Sequence, residues 1–266
     1  MAAVLPSTWI STCVGKSNET IESRRLAHRL NERFVKAMAA YHLIEGDDKI
    51  LVGLSGGKDS LLLTELLAKR ARIQHPRFKV EAIHVRMENI HYQTDTSYLE
   101  QFCNAWDVPL HVVTTSFEVG NSHGEDLRKQ KQPCFLCSWN RRKQLFNLAQ
   151  ELGCNKIALG HHQDDIIHTA LMNLTFQAHF ATMPVRLRMR KMPLTIIRPL
   201  CLIRENDIQA WAEMQHYQKQ QKLCPYEANS HRTDIKHIYD QLEQMNPEVR
   251  YNIWNALEND NKLIED

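Results

Sequence analysis

Residues 50–54, Ile-Leu-Val-Gly-Leu, run directly into Ser55-Gly56-Gly57-Lys58-Asp59-Ser60, and Leu61 to Ala71 continues with helical composition. A short apolar run bounded by turn residues reads as a strand buried on both faces, the kind a layered α/β sheet uses. Two adjacent glycines let the backbone curl until successive N–H groups point at one spot. The start of the following helix adds its partial positive charge there, which makes the turn an anion site. Lys58 suits phosphate neutralisation, Ser55 and Ser60 suit hydrogen bonding, and Asp59 suits orienting magnesium or capping the helix. A plain strand-to-helix turn capped by Asp59 or Ser60 is the competing reading, and a glycine pair alone would not exclude it. The Gly-x-x-x-x-Gly-Lys-Ser/Thr loop of kinases and GTPases is absent, because Val52 stands at its first glycine and Asp59 at its hydroxyl position.

The rest of the chain repeats this strand–helix alternation. Glu19 to His42 carries Leu26, Leu30, Phe34, Ala37 and Met38 on one helical stripe. Strands are predicted at Val80 to Val85, Leu110 to Thr114 and Lys156 to Leu159. Helices are predicted at Ser97 to Trp106, Trp139 to Leu152 and Asp164 to Gln177, then at Glu205 to His216, Asp234 to Met245 and Val249 to Asn259. Phe117 to Cys137 lacks a period and reads as a loop with a short helical turn. Met183 to Pro199 alternates Val185, Leu187 and Met189 with Arg186, Arg188 and Arg190, the pattern of a hairpin with one basic face. The fold class is therefore α/β, a parallel sheet covered on both faces. Its expected parts are a tail and helix over residues 1–45, a nucleotide-binding domain over 46–204 and a helical extension over 205–266.

In such sheets ligands sit beyond the carboxyl ends of the strands, at a switch point. Ser55 to Ser60 and Gly160-His161-His162-Gln163-Asp164-Asp165 both follow strands, so they are expected to meet in one cleft. There Gly160 would allow close approach to the nucleotide, His161 and Asp165 are candidate site residues, Asp165 suits magnesium, and Asp164 suits a helix cap.

The 266 residues carry a formal net charge of only +2, but the charge is unevenly placed. No acid lies between Asp165 and Glu205, or between Asp126 and Glu151, whereas Arg141, Arg142, Arg186, Arg188, Arg190 and Lys191 fall in those stretches. That distribution permits a positive face for phosphate contacts. Seven cysteines with one close pair argue against a disulfide framework and for a reducing, cytoplasmic setting. Neither a membrane span nor a secretory signal is visible. Cys134 and Cys137 have a spacing that lets two thiolates share one metal or cluster, and Cys224, before Pro225, is the most site-like of the others. Spacing alone leaves zinc, with His216 or His231 as a fourth ligand, level with iron–sulfur. Cys103, Cys154 and Cys201 read as packing residues.

The string Ser55 to Ser60 resembles the Ser-Gly-Gly-x-Asp-Ser loop of the PP-loop ATP pyrophosphatases, which fold as Rossmann-like adenine nucleotide alpha hydrolases. Pro133-Cys134-Phe135-Leu136-Cys137-Ser138 with Arg141-Arg142, Leu159 to Asp165, Ile197-Arg198-Pro199-Leu200 and Cys224 narrow the likeness. In order and spacing they resemble the TtcA family of tRNA 2-thiocytidine synthetases, over roughly Arg24 to Asn259. The resemblance implies ATP and Mg²⁺ as cofactors, adenylation of a tRNA cytidine at position 32 with Lys58, Asp59 and Asp165 in catalytic roles, and replacement of its C2 oxygen by sulfur. It also implies a 4Fe–4S cluster on Cys134, Cys137 and Cys224, a cysteine desulfurase as sulfur donor, and a possible homodimer. Glu227 stands where the family often has another cysteine. A lysidine-synthetase-like ligase is the alternative within the same superfamily, and a zinc-containing thiolase is another.

Overall fold

The computed structural model describes residues 20–88, 95–116, 133–218 and 231–266, with Pro133 and Cys134 described as backbone only. Cys224 and Glu227 lie outside these residues, as do Cys13 and the basic residues of 128–131. Helix α1 (Ile21–Ala40) opens on Thr20, whose hydroxyl accepts from Ser23 N. The stripe Leu26, Leu30, Phe34, Ala37 and Met38 is buried as its spacing predicts. Burying side chains of this size contributes ~1.5–3 kcal/mol for each large one. β1 (Asp48–Gly53), α2 (Lys58–Ala71), β2 (Phe78–Met87), α3 (Thr96–Ala105) and β3 (Leu110–Thr115) follow.

Helix α4 spans Pro133–Glu151 and therefore begins six residues before the helix expected at Trp139. Proline at a first helical position loses nothing, because that N–H has no partner in the helix. After α4 come β4 (Lys156–Ala158), α5 (Gln163–Gln177) and the hairpin of β5 (Arg186–Arg188) with β6 (Thr195–Ile197). Helices α6 (Glu205–Met214), α7 (His231–Met245) and α8 (Val249–Asn259) precede β7 (Ile264–Glu265), a two-residue strand not foreseen from the sequence.

The strand order is β3-β2-β1-β4-β6-β5-β7. Pairs β3·β2, β2·β1, β1·β4 and β4·β6 are parallel, and β5 is antiparallel to β6. Both faces are packed. Ile50, Val52, Val80, Ala82 and Ala158 enter one apolar cluster with α1, α2, α6 and α8, whereas Leu51, Ile83, Val85 and Ile157 enter a second one under α4. Adjacent residues of one strand thus serve opposite layers, the period of two that makes a continuous apolar run a central strand. From β1 the chain moves to β2 and β3 on one side, then crosses to β4 on the other. The interval between β1 and β4 is the switch point.

Candidate active site

The loop after β1 is fixed before the glycines begin. Leu54 N donates to Ile83 O at 2.9 Å, and His84 Nδ1–H donates to Leu54 O at 2.8 Å. A carbonyl only accepts, so the His84 proton sits on Nδ1, and burial holds this imidazole below its ordinary pKa. Gly56 turns the chain with φ 82°, a region glycine enters without a Cβ penalty. Ser55 N then donates to Ser60 Oγ at 3.1 Å, Ser60 Oγ donates to Gly57 O at 2.9 Å, and Gly57 N donates to Ser55 Oγ at 3.3 Å. The two serines thereby brace the loop from within, and Gly57 forms the N-cap of α2. Lys58 Nζ stands 3.2 Å from Asp59 Oδ1 and 3.3 Å from Glu205 Oε1. Glu205 is also held by Lys236 Nζ at 2.8 Å. Burial would raise its carboxyl pKa, but Lys236 and Lys58 outweigh burial and lower it.

The second segment arrives from β4, directly beside β1. A Cβ on Gly160 would lie 3.1 Å from Asp59 C and 3.1 Å from Ser60 N. The close approach Gly160 permits is thus to the backbone of the phosphate loop itself. His162 caps α5, and its N–H donates to Asp165 Oδ2 at 3.1 Å, so Asp165, rather than Asp164, closes the helix start. The His162 ring lies between carboxylates, with Nε2 3.9 Å from Asp59 Oδ1 and 3.5 Å from Asp165 Oδ2. Burial disfavours its charge, yet Asp164, Asp165 and Asp59 prevail and raise its pKa. Asp164 turns inward to Arg250 Nη2 at 2.7 Å and accepts from Glu205 N at 2.8 Å. His162 and Arg250 overcome burial and hold the Asp164 carboxyl far below the usual range.

One strand further along, Arg198 Nε–H donates to His161 Nδ1 at 3.2 Å, and Arg198 Nη1 donates to Pro184 O. Burial and the Arg198 charge push the His161 pKa down to about 4. Burial and Arg142 bring Arg198 to about 10.

Cys134 and Cys137 stand three residues apart in the first turns of α4, where a loop was expected. That register puts them on one side of the helix, as two ligands of one metal or cluster require. Cys137 is half-buried, and among the described residues no three His, Cys, Asp or Glu groups converge on one metal position. Cys224 lies outside them. Cys103, Cys154 and Cys201 are buried, as the sequence suggests; burial pushes the Cys103 thiol up to about 12 and raises the other two.

The basic candidates separate by environment. Arg142, Arg188, Arg190 and Lys191 are exposed, and Arg141 is half-buried. Arg186 instead bonds Asp266 Oδ2 at 2.9 Å and Tyr41 O at 3.1 Å, which ties the last residues to the sheet. Sequence reading missed His84, Glu205 and Arg250 as parts of the site. Arg198 was visible only within its motif, because its partner His161 lies far away in the chain.

The PP-loop domain family matches residues 24–237. The tRNA-cytidine(32) 2-sulfurtransferase of Bordetella avium is 32% identical over 237 residues, which covers 89% of this chain and 74% of that relative. The protein of the same name from Verminephrobacter eiseniae is 33% identical over 242 residues, covering 90% and 74%. Among solved structures, the U34-tRNA thiolase NcsA from Methanococcus maripaludis with its [4Fe-4S] cluster aligns with a TM-score of 0.69 and 26% identity, over 88% of this chain and 78% of that one. A phosphate loop braced by its own serines, at the switch point of a parallel sheet, agrees with these likenesses, and the chain belongs to the PP-loop family, among the tRNA-cytidine(32) 2-sulfurtransferases.

Proposed function

We propose that this chain is an ATP-dependent tRNA sulfurtransferase that replaces the C2 oxygen of a cytidine, at position 32 of tRNA, with sulfur. The observation that carries the reading is the contact between the phosphate loop and the end of β4. Gly160 lies against the backbone of Asp59 and Ser60, and His162 stands between Asp59 and Asp165, which supports reading the two segments as one nucleotide site.

In the reaction the cytidine C2 oxygen attacks the α-phosphorus of ATP and pyrophosphate leaves. Sulfide then attacks C2, and AMP departs carrying the former C2 oxygen. The chain's part is positioning and charge stabilisation, since no covalent nucleophile is required. The backbone of Ser55 to Ser60 and the start of α2 grip the leaving pyrophosphate. Lys58 neutralises it, exchanging its contacts with Asp59 and Glu205 for phosphate oxygens. Asp59 and Asp165, both facing His162, are the carboxylates that would hold Mg²⁺.

Cys134 and Cys137, with Cys224 as third ligand, are the residues that would hold a 4Fe–4S cluster. The shared side of α4 fits the first two. When bound, the cluster supplies an open iron that carries the sulfide. The solved thiolase with its cluster supports iron–sulfur over zinc. A cysteine desulfurase is the proposed sulfur source, the cytoplasm the proposed location, and a homodimer the proposed assembly. Among the described residues no helix is long and apolar enough to cross a membrane. Arg141, Arg142, Arg188, Arg190 and Lys191 would contact the RNA backbone. An unpaired anticodon-loop base suits this site because its edge is reachable without opening a duplex. The division into residues 1–45, 46–204 and 205–266 remains our proposal for the domain plan.

The test is nucleoside mass spectrometry of tRNA from cells with and without the gene. Loss of 2-thiocytidine supports the reading, and loss of lysidine instead would transfer it to the ligase alternative.

A further inference from the structure

The interval between β4 and β6 adjoins the one that holds the phosphate loop, and its carboxyl end is closed by His161 and Arg198. A guanidinium has donors only, so the bond from Arg198 Nε–H makes His161 Nδ1 an acceptor. The imidazole, kept uncharged by burial and by Arg198, must then carry its proton on Nε2. Among the described residues nothing accepts from that Nε2–H.

Arg198 is itself only 7% exposed, and its two bonds go to uncharged acceptors, an imidazole nitrogen and the Pro184 carbonyl. Among the described residues no carboxylate pairs with it. Arg142 adds a like charge nearby, and Asp165 is the carboxylate whose field reaches both Arg198 and His161. A buried cation with uncharged partners is costly unless an anion completes the site. The slot thus offers a fixed hydrogen-bond donor and a positive charge that no carboxylate among the described residues pairs with, one strand from the proposed triphosphate position.

We infer that Arg198 and His161 form a second anion-binding position that takes a phosphate-ester oxygen, with His161 donating from Nε2–H and Arg198 fixing the ring and supplying the charge. The inference rests on the nucleotide chemistry proposed above for the origin of that phosphate, which is either the α-phosphate of ATP or the backbone of the RNA. A neutral donor of fixed tautomer steadies charge on a phosphoryl oxygen without giving up its proton. Arg198, Arg232 and His162 oppose protonation of the ring, and Asp165 favours it.

The experiment uses the full chain labelled with ¹⁵N-histidine, read by long-range ¹⁵N–¹H correlation, with His161 assigned by difference against His161→Gln. The wild-type ring should show a bare Nδ1 and a protonated Nε2, unchanged between about pH 5.5 and 8. In Arg198→Met the tautomer should become mixed and the ring should titrate within that range. A protonated Nδ1 in the wild type, or an Arg198→Met spectrum identical to it, overturns the proposal. In a second arm, an ATP analogue with a methylene between the α- and β-phosphates, or an RNA hairpin alone, is added to the wild type. A shift of the His161 Nε2 signal with the analogue identifies ATP as the source, and a shift with RNA identifies the backbone. His161→Ala should then weaken binding of that ligand about tenfold, with partial recovery in His161→Gln. No shift with either ligand sinks the anion site. Neither arm needs sulfur transfer, so a protein that fails to thiolate tRNA can still pass this test, and one that thiolates can still fail it.

Discussion

Gly160→Ala is the sharpest probe of how the two halves of the site depend on each other. The new methyl would stand 3.1 Å from Asp59 C, 3.1 Å from Ser60 N and 3.2 Å from Asp59 O. All three neighbours are backbone, so no rotamer change relieves the contact, and the phosphate loop must retreat by a few tenths of an ångström. Gly160 does not have a positive φ, which leaves the cost purely steric. Overpacking of this kind costs about 1–3 kcal/mol. At this chain length each kcal/mol corresponds to roughly 2–4 °C in Tm. The shift also moves Asp59 and Ser60 relative to the substrate. A misplacement of ~1 Å can cost a hundredfold in rate, so a few tenths should lower ATP–pyrophosphate exchange about tenfold. Gly46→Ala is the control, because a Cβ there meets nothing within 4 Å and should leave stability within ~1 kcal/mol of wild type. Urea unfolding and exchange kinetics on the three proteins decide the matter. Wild-type stability together with wild-type exchange in Gly160→Ala would refute the claim that the β4 segment seats against the loop.

Arg250→Met removes the guanidinium from the buried Asp164 carboxylate, leaving it His162 and the Glu205 N–H, and should cost about 3–5 kcal/mol in urea unfolding, whereas the loss of an exposed pair would cost under ~1 kcal/mol. Neutralising Arg188, Arg190 and Lys191 should flatten the salt dependence of tRNA binding by roughly one unit of slope for each phosphate left without its cation; an unchanged slope excludes the hairpin as the RNA face. Arg186→Met should instead lower Tm, because that guanidinium holds Asp266 and the Tyr41 carbonyl. Cys103, Cys154 and Cys201 should resist alkylation at about pH 8 until the chain unfolds, as peptide mass spectrometry can check; rapid native labelling of any of them would contradict their burial and raised thiol pKa values.

Legibility in the sequence tracked the range of the forces involved. The α1 stripe was readable residue by residue because burial repeats with the helical period and a single face meets the core. The phosphate loop was readable because its chemistry is local, a strand, two glycines and a helix start. The beginning of α4 was missed because Phe135 and Trp139 face solvent there and no apolar stripe marks the first turns. Pro133 was the available signal, as a residue suited to the first helical position. The helix cap was assigned to Asp164 in place of Asp165 for a different reason. The choice depends on Arg250, far along the chain on α8, which takes Asp164 into a buried pair and leaves Asp165 to close the α5 start. β7 escaped notice because two residues carry no period, and it forms only because β5 offers an open edge.

The central claim is tested most directly by reconstituting the chain without oxygen and supplying ATP, Mg²⁺, sulfide and unmodified tRNA. Digested nucleosides are then followed by mass spectrometry beside AMP and pyrophosphate. The account predicts 2-thiocytidine at position 32, with AMP and pyrophosphate released in equal amounts and both lost when Asp59 is replaced by Ala. Thiolation that proceeds without ATP, or ATP cleavage that yields ADP and phosphate in place of AMP and pyrophosphate, would contradict it.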